Sequence, residues 1–181
     1  HTKGVNKVAY SPDGSVLASA GADGRLILWN SATHNAIATL TAHGESVTSV
    51  AFAPNGKLFA SGSWLGEVIL WDAAKREALG EPIAAHEVSV DDIAFSPDSA
   101  LMATSSSRDG GKVKVWEVPS GKLRYERNAG EGAAYCVAFS PDATTLASGS
   151  GKYLALWNAA DGQALLAPFL ADDGVVYDIA F

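Results

Sequence analysis

The sequence has little cysteine, little positive charge and no long apolar run, and each shortage excludes a class of protein. Its one cysteine, Cys136, cannot form an internal disulfide, so the fold needs no oxidising compartment and we expect a cytoplasmic location. Lysine and arginine number 13 against 20 aspartates and glutamates, a net charge of −7. This balance argues against nucleic acid or an anionic membrane as the main partner, because both attract a basic face. No run of about 18 apolar residues is present to span a membrane.

What the sequence does contain is an internal repeat. An aromatic residue followed by a proline turn, first seen as Tyr10-Ser11-Pro12-Asp13-Gly14, returns at Phe52, Phe95 and Phe139, and Phe181 stands where a fifth copy would begin. The spacing is 42 to 44 residues. A second marker has nearly the same period, and it consists of Trp29, Trp71, Trp116 and Trp157. Two markers with one period indicate a repeat architecture over the whole chain.

Each repeat predicts four short strands. An apolar first strand ends at the aromatic residue, a second follows the proline turn, and a third ends at the tryptophan. The fourth is weaker and more polar, as in residues 122–127. Pro82 and Pro168 fall in or beside fourth strands, and proline is tolerated there only at a sheet edge. The pattern therefore predicts an all-β protein.

The unit from His43 to Trp71-Asp72 resembles the Gly-His to Trp-Asp unit of the WD-repeat β-propeller family. The resemblance implies a partial propeller of four four-stranded blades, at about 1–42, 43–85, 86–129 and 130–171, with the first strand of a fifth blade in 172–181. Since the chain begins without methionine and ends inside a strand-like run, we expect it to be a piece of a longer array. Residues 78–83 resemble a form common in long bacterial arrays, which often act as the sensor of an attached effector domain.

The family also implies a polar network within a blade. A histidine before the first strand, a serine or threonine in the second, an aspartate in the next turn and the tryptophan of the third hydrogen-bond together in its members. Carried over, the first repeat supplies His1, Ser19, Asp23 and Trp29, and the third supplies His86, Thr104, Asp109 and Trp116. The second repeat keeps His43, Ser61 and Trp71 but has Leu65 at the aspartate position, and the fourth keeps only Ser148 and Trp157. We therefore expect packing to matter more in the second and fourth blades.

Histidine, serine and aspartate together also suggest a nucleophilic triad. The same residue types recur at the same phase in two repeats, which favours a structural network that satisfies its own donors and acceptors. The histidines are isolated in sequence and show no metal-ligand spacing, and Cys136 has the setting of a small core residue. We expect no catalytic residue, no metal and no cofactor.

The remaining candidates are surface residues that the repeat itself does not require. Trp64 lies in the turn after the second strand, where neighbouring repeats have smaller or polar residues, and Arg108 stands in the corresponding turn of the third repeat. Asp91, Tyr135 and Tyr177 share one position in successive first strands. The alternative for Trp64 is packing over the missing aspartate at Leu65, and the alternative for each tyrosine is lining the channel. Tryptophan, tyrosine and arginine are the residue types enriched at interfaces.

These features predict a non-catalytic scaffold or sensor domain that binds a protein or peptide on the face carrying Trp64, Asp91, Arg108, Tyr135 and Tyr177. Further propeller blades, of the same or another chain, are a second expected partner. Two alternatives stay open. One is a self-assembling half-propeller with a structural role. The other is a propeller enzyme with its site at the channel mouth, for which Asp91, Asp178 and Glu131 are the nearest candidates.

Overall fold

A computed structural model describes residues 1–41, 43–130, 132–171 and 173–181, and its regular structure consists of strands. The strands are β1 (Val5–Tyr10), β2 (Val16–Gly21), β3 (Leu26–Asn30), β4 (Ala36–Leu40), β5 (Val47–Phe52), β6 (Leu58–Ser63), β7 (Glu67–Asp72), β8 (Glu77–Ala78), β9 (Ile83–Ala84), β10 (Asp92–Phe95), β11 (Leu101–Ser105), β12 (Lys112–Glu117), β13 (Lys122–Asn128), β14 (Ala134–Phe139), β15 (Thr145–Ser150), β16 (Tyr153–Asn158) and β17 (Phe169–Leu170). Within the described ranges we find no helix suited to crossing a membrane.

The strands form four antiparallel sheets, each built from consecutive strands and each corresponding to one repeat. Blade 1 contains β1 to β4, blade 2 contains β5 to β9, blade 3 contains β10 to β13 and blade 4 contains β14 to β17. The predicted all-β partial propeller is therefore confirmed. The segment 173–181, expected to begin a fifth blade, follows blade 4, and its Val176 N–H donates to Gly151 O at 2.7 Å.

Proline interrupts the outermost strand in two blades. In blade 2 the fourth strand is split into β8 and β9, which both pair with β7, and Pro82 lies directly before β9. In blade 4 the outer strand is reduced to Phe169–Leu170, directly after Pro168. Proline has no N–H to donate to a strand ladder, so these breaks lie at the sheet edge, where the loss of pairing costs least.

The hydrophobic core lies between neighbouring blades. Apolar residues of β2 and β3 in one blade pack against the first strand and the tryptophan side of the next. Between blades 1 and 2, for example, Leu26 and Leu28 pack with Val47, Val50 and Phe59, all of which are buried. Corresponding clusters join blade 2 to blade 3 and blade 3 to blade 4. Each sheet therefore depends on its neighbours for most of its buried apolar surface.

A β-bulge interrupts the first strand of three blades, and the register shifts across Asn6 in β1, Thr48 in β5 and Tyr135 in β14. The bulge frees one side chain in each strand from the alternation of the sheet. Asn6 Nδ2 donates to Val47 O at 2.7 Å, and the Thr48 hydroxyl donates to Val90 O. These bulged residues therefore link each blade to the next one.

Candidate functional site

The segments that precede the first strands meet the turns that join the second and third strands at one edge of the molecule, which we call the loop face. Three contacts define it. Ala22 N–H donates to Gly4 O at 2.8 Å, Trp64 N–H donates to Ser46 O at 2.9 Å, and Gly151 N–H donates to Ala133 O at 3.2 Å. Backbone bonds thus fix the turns of this face to the chain that enters each blade.

In blades 1 and 3 the family-type residues form a continuous hydrogen-bonded chain. Trp29 Nε1–H donates to Ser19 Oγ at 2.8 Å, and His1 contacts Ser19 Oγ at 2.7 Å through Nε2 and Asp23 Oδ1 at 2.9 Å through Nδ1. Blade 3 repeats the arrangement with Trp116, Thr104, His86 and Asp109, at 3.0, 2.9 and 3.1 Å. A neutral ring protonated at Nδ1 satisfies the whole chain, because each hydroxyl can then donate to Nε2.

Burial sets the charge states of this network. Burial lowers the pKa of His86, with the hydrogen bond to Asp109 acting in the opposite direction. Burial acts to raise the pKa of Asp109, but hydrogen bonds from His86 and Lys112 outweigh it and lower that pKa. A neutral imidazole beside an ionised carboxylate fits both directions.

Blades 2 and 4 contain only parts of the network. His43 Nε2 lies 2.7 Å from Ser61 Oγ, which accepts from Trp71 Nε1–H at 2.9 Å. His43 Nδ1 is buried and has no hydrogen-bond partner within the described ranges, and burial lowers the pKa of His43 to about 4. Among the described residues of blade 4, the network is limited to the bond from Trp157 Nε1–H to Ser148 Oγ, at 3.1 Å.

The central hydroxyl groups of blades 2 and 3 are engaged and closed to solvent. The Thr104 and Ser61 side chains are fully buried, and each hydroxyl accepts a tryptophan N–H. A nucleophilic hydroxyl must reach a bound substrate, and these have no such access. In blades 1 and 3 the histidine, the hydroxyl residue and the aspartate are thus hydrogen-bonded to one another within the blade.

Trp64 and Arg108 meet on the loop face, at the junction of blades 2 and 3. The Arg108 guanidinium carbon lies 4.2 Å from the centre of the Trp64 ring, a cation–π contact. Trp64 is 41% exposed and Arg108 is also exposed. Leu65, at the aspartate position of this repeat, is itself 49% exposed.

Asp91 anchors the residue that precedes Arg108 in the turn. Its carboxylate accepts a short hydrogen bond from Ser107 N–H and a bond of 3.2 Å from the Ser89 hydroxyl. On the other side of Arg108, Asp109 is held by His86 and by Lys112 Nζ at 3.3 Å. Both neighbours of Arg108 in the chain are therefore anchored, and Asp91 serves the turn rather than offering a free carboxylate.

Tyr135 and Tyr177 form a second pair, with ring centres 5.3 Å apart and an angle of 54° between the planes. Tyr177 is 71% exposed, and Tyr135 is partly buried. Among the described residues, no hydrogen bond, ion pair or ring contact joins this pair to Trp64 or Arg108. Whether these five residues form one binding face stays a prediction.

An ion pair that was not predicted from the sequence joins blades 1 and 3. Lys7 Nζ lies 3.2 Å from Asp92 Oδ1, and Val137 N–H of blade 4 donates to Asp92 Oδ2 at 3.1 Å. Asp92 is buried, and burial raises its pKa. Both residues directly follow the position of Asn6 and Asp91 in the repeat, so the period could have identified them. Asp92 thus links blades 1, 3 and 4.

A channel-mouth enzyme would need free carboxylates, and few of the candidate carboxylates are free among the described residues. The Asp91 carboxylate is bonded to the Ser107 turn, Asp178 Oδ1 accepts from Ile179 N–H at 3.0 Å, and Glu131 lies outside the described residues. Burial raises the pKa of the Cys136 thiol to about 11, so it is protonated at neutral pH. The described part of the chain has no cluster of histidine, cysteine and carboxylate groups suited to a metal ion.

Two clefts open at the other end of the blades, beside the proline turns. One, of about 420 Å³, lies between blades 1 and 2, and its only charged lining residue is Asp13. The other, of about 450 Å³, lies between blades 3 and 4, where Arg124 Nε donates to Ala160 O at 2.8 Å. Between blades 2 and 3 the Asn55 N–H donates to Ser99 Oγ at 3.0 Å. The second cleft is also lined by Asp98 and Glu117, and its described lining contains no histidine or cysteine.

The sequence matches the WD domain, G-beta repeat family at residues 1–30, 34–72, 79–117 and 121–158. It is similar to periodic tryptophan protein 2 of Saccharomyces cerevisiae, with 38% identity over 87% of this chain and 17% of that protein. It is also similar to apoptotic protease-activating factor 1 of Rattus norvegicus, with 28% identity over 96% of this chain and 14% of that protein. A third relative is WD repeat and SOCS box-containing protein 1 of Xenopus tropicalis, with 37% identity over 40% of this chain and 18% of that protein. The chain thus spans less than a fifth of each relative.

Proposed function

Because the chain belongs to the WD-repeat family, whose domains are generally non-catalytic interaction modules, we propose that it is a scaffold that binds a protein or peptide through its loop face. The observation that carries the proposal is Trp64. This side chain is 41% exposed, and it lies in a turn where strand pairing does not require a tryptophan. Large aromatic side chains held in the open are the typical anchors of protein interfaces.

The turn that carries Trp64 is rigid. Trp64 N–H donates to Ser46 O at 2.9 Å, and Gly66 closes the turn with a φ of 78°. A Cβ at Gly66 would overlap the carbonyl oxygen of His86, so the turn packs directly on the entry to blade 3. A side chain presented on a fixed turn loses little conformational entropy when it binds.

Tyr135 and Tyr177 extend the proposed surface toward the end of the chain. Their rings contact each other, and Tyr177 is largely exposed. Tyrosine combines an apolar ring with a hydroxyl, which suits a partly hydrated interface. A partner that covers both groups would contact blades 2, 3 and 4, and a shorter peptide would use only one group.

The charge of the chain narrows the class of partner. At a net charge of −7, nucleic acid and anionic membranes are repelled at long range, which favours a protein or peptide. Further blades of the same or another chain are a second partner in this proposal. The relatives named above are eukaryotic. The resemblance of residues 78–83 to bacterial sensor arrays stays a prediction. The cytoplasmic location is a prediction as well.

The proposal is tested by selecting binders of the 181-residue chain from a random peptide library and measuring their affinities for variants by titration calorimetry. Trp64→Ala is expected to weaken the selected peptides by about 2 kcal/mol, roughly thirtyfold, as for an interface anchor. The matched control is Phe169→Ala, because Phe169 is 42% exposed and lies on the outer strand of blade 4. Its affinity should equal that of the unmodified chain.

A urea denaturation curve separates binding from packing. Trp64→Ala should leave the unfolding midpoint nearly unchanged, whereas Phe59→Ala, which removes a fully buried ring, should lower it strongly. If Trp64→Ala lowers the midpoint as far as Phe59→Ala, Trp64 is a packing residue and the proposed interface is wrong.

A further inference from the structure

We propose that the Trp64–Arg108 pair recognises a carboxylate, so that the partner of the loop face is an acidic peptide segment. The inference rests on the proposed function, since it names the kind of ligand that this surface takes. The carboxylate belongs to a glutamate or aspartate side chain, or to the C-terminus, of the bound peptide.

The first step is that Arg108 has hydrogen-bonding capacity to spare. Among the described residues, its side chain makes the contact with the Trp64 ring and no hydrogen bond or ion pair. Arg124 and Arg127, by contrast, donate to backbone carbonyls of blade 4 through Nε at 2.8 and 2.6 Å. A guanidinium carries five N–H donors in a planar fork, and those of Arg108 face solvent.

The second step is that the guanidinium is already positioned. The Trp64 ring lies against it at 4.2 Å, and the turn is anchored on both sides, through Ser107 to Asp91 and through Asp109 to His86. A free arginine side chain loses considerable rotamer entropy when it binds. Here the fold has already restricted the side chain, so more of the interaction energy is available for the ligand.

The third step is chemical complementarity. A guanidinium edge matches the two oxygens of a carboxylate with two parallel charge-assisted hydrogen bonds. The exposed apolar ring of Trp64 lies against this guanidinium. It offers contact to the methylene groups of a glutamate and to an apolar residue next to it in the peptide.

Among the described residues, the Asp91 and Asp109 carboxylates on either side of this turn are engaged elsewhere and do not compete for Arg108. Asp91 is bonded to Ser107 N–H and Ser89, and Asp109 to His86 and Lys112. The net charge of −7 opposes an acidic ligand at long range. Physiological salt screens that repulsion beyond about 8 Å, whereas a direct hydrogen-bonded contact persists. Recognition is therefore local, and it selects one carboxylate rather than a strongly acidic protein.

The test uses synthetic peptides and NMR detection of the Trp64 indole N–H and the Arg108 Nε–H. The probes are acetyl-Ala-Leu-Glu-Leu-Ala-amide and its counterparts with Gln or Lys at the central position. A fourth probe is the Gln peptide with a free C-terminus. We expect the Glu peptide to bind roughly tenfold more tightly than the Gln amide, as for a hydrogen bond to a charged group. Comparison with the fourth probe distinguishes a side-chain carboxylate from a terminal one.

Two variants complete the test. Arg108→Lys keeps the charge but loses the planar fork, and it should remove most of the preference for Glu over Gln. Arg25→Ala is the matched control, because Arg25 is an exposed arginine in the corresponding turn of blade 1, and its preference should be unchanged.

The carboxylate inference is overturned if neither the Glu amide nor the Gln peptide with a free C-terminus binds more tightly than the Gln amide. It is also overturned if the Lys peptide binds most tightly, or if the preference for a carboxylate is undiminished in Arg108→Lys. If the peptides still lose affinity in Trp64→Ala under those outcomes, the proposed interface stands without it. If Trp64→Ala alters the binding of neither these probes nor the library-selected peptides, the proposed function fails as well.

Discussion

At the scale of single residues, the hydroxyl group of the second strand decides how the polar network is held. Thr104 Oγ1 accepts the Trp116 indole N–H and contacts His86 Nε2, so one hydroxyl satisfies two buried rings. Ser148 in blade 4 has the same place but bonds only Trp157 among the described residues. The free energy of unfolding should therefore depend on the number of partners that each hydroxyl serves.

Thr104→Val tests this dependence, because valine has the shape of threonine but lacks the hydroxyl. The substitution leaves the Trp116 N–H and His86 Nε2 without a partner in a buried site. At about 1–3 kcal/mol for each of the two unsatisfied groups, we expect a loss of about 2–6 kcal/mol in the free energy of unfolding, measured by urea denaturation. Ser148→Ala leaves one group, the Trp157 N–H, without a partner, and it should lower the free energy of unfolding by about 1–3 kcal/mol. Equal losses at the two positions would contradict the account.

At the scale of one element, the turn of blade 2 lacks the aspartate of the polar network and has an exposed apolar residue in its place. Leu65 occupies the aspartate position and is 49% exposed, while His43 Nδ1 lies buried without a partner within the described ranges. The His43 pKa of about 4 lies below the ordinary 6.5, because burial disfavours the charged ring. Stability from this group is complete above pH 6.5 and is lost as the pH falls toward 4.

Leu65→Asp should restore the missing contact, because His43 and position 65 have the same separation as His1 and Asp23, which lie 2.9 Å apart. A carboxylate at Nδ1 favours the charged ring, so the pKa of His43 should rise from about 4 toward its ordinary value. We also expect a gain of about 1 kcal/mol in the free energy of unfolding at neutral pH. Histidine NMR titration and urea denaturation measure the two effects.

Leu79→Asp is the matched control for this exchange, since Leu79 is exposed at the outer edge of blade 2 and lies far from His43 along the chain. It adds the same charge and removes the same side chain. An unchanged His43 pKa in Leu65→Asp, or an equal rise in both variants, would show that position 65 no longer provides the site of the lost aspartate.

The elements themselves were largely predictable because their signals are local. Apolar first strands, proline turns and Trp29, Trp71, Trp116 and Trp157 repeat along the sequence, and each sheet joins strands that are consecutive in it. The division of the outer strand of blade 2 into β8 and β9 was less predictable, since short polar strands carry a weak pattern. Pro82 signalled an edge but did not determine where the pairing would resume.

The candidate site was predictable only in part. Trp64 was identified because the repeat does not require it, but its contact with Arg108 depends on the packing of two blades and on the extra residue in the third repeat. Lys7 and Asp92 are 85 positions apart, and only the curvature of three successive blades brings them within 3.2 Å. Such contacts follow from the angle between sheets, which no local pattern encodes.

At the scale of the whole molecule, stability depends on contacts between blades. On the side of blade 1 that contacts no other blade among the described residues, apolar residues are exposed. Val47 and Val50 of β5 are 0% and 2% exposed because blade 1 packs on them, whereas Val5 and Val8, at the same positions of β1, are 52% and 55% exposed. Tyr10 is 62% exposed as well. This side of β1 is therefore an apolar surface with the residue pattern of a blade interface.

Exposed apolar surface of this kind favours association, so we expect the 181-residue chain to self-associate with increasing concentration. Sedimentation velocity and light scattering would measure the effect. Val8→Lys and Tyr10→Lys place charges on the open side of β1 and should shift the chain toward the monomer, because burying an unpaired charge in a blade interface is costly. Leu79→Lys, at an exposed position on the outer edge of blade 2, should leave the association unchanged. A monomer that melts cooperatively at every concentration would contradict this prediction. It would show that the contacts among blades 1 to 4 suffice to stabilise the sheets while the open side of β1 stays exposed to solvent.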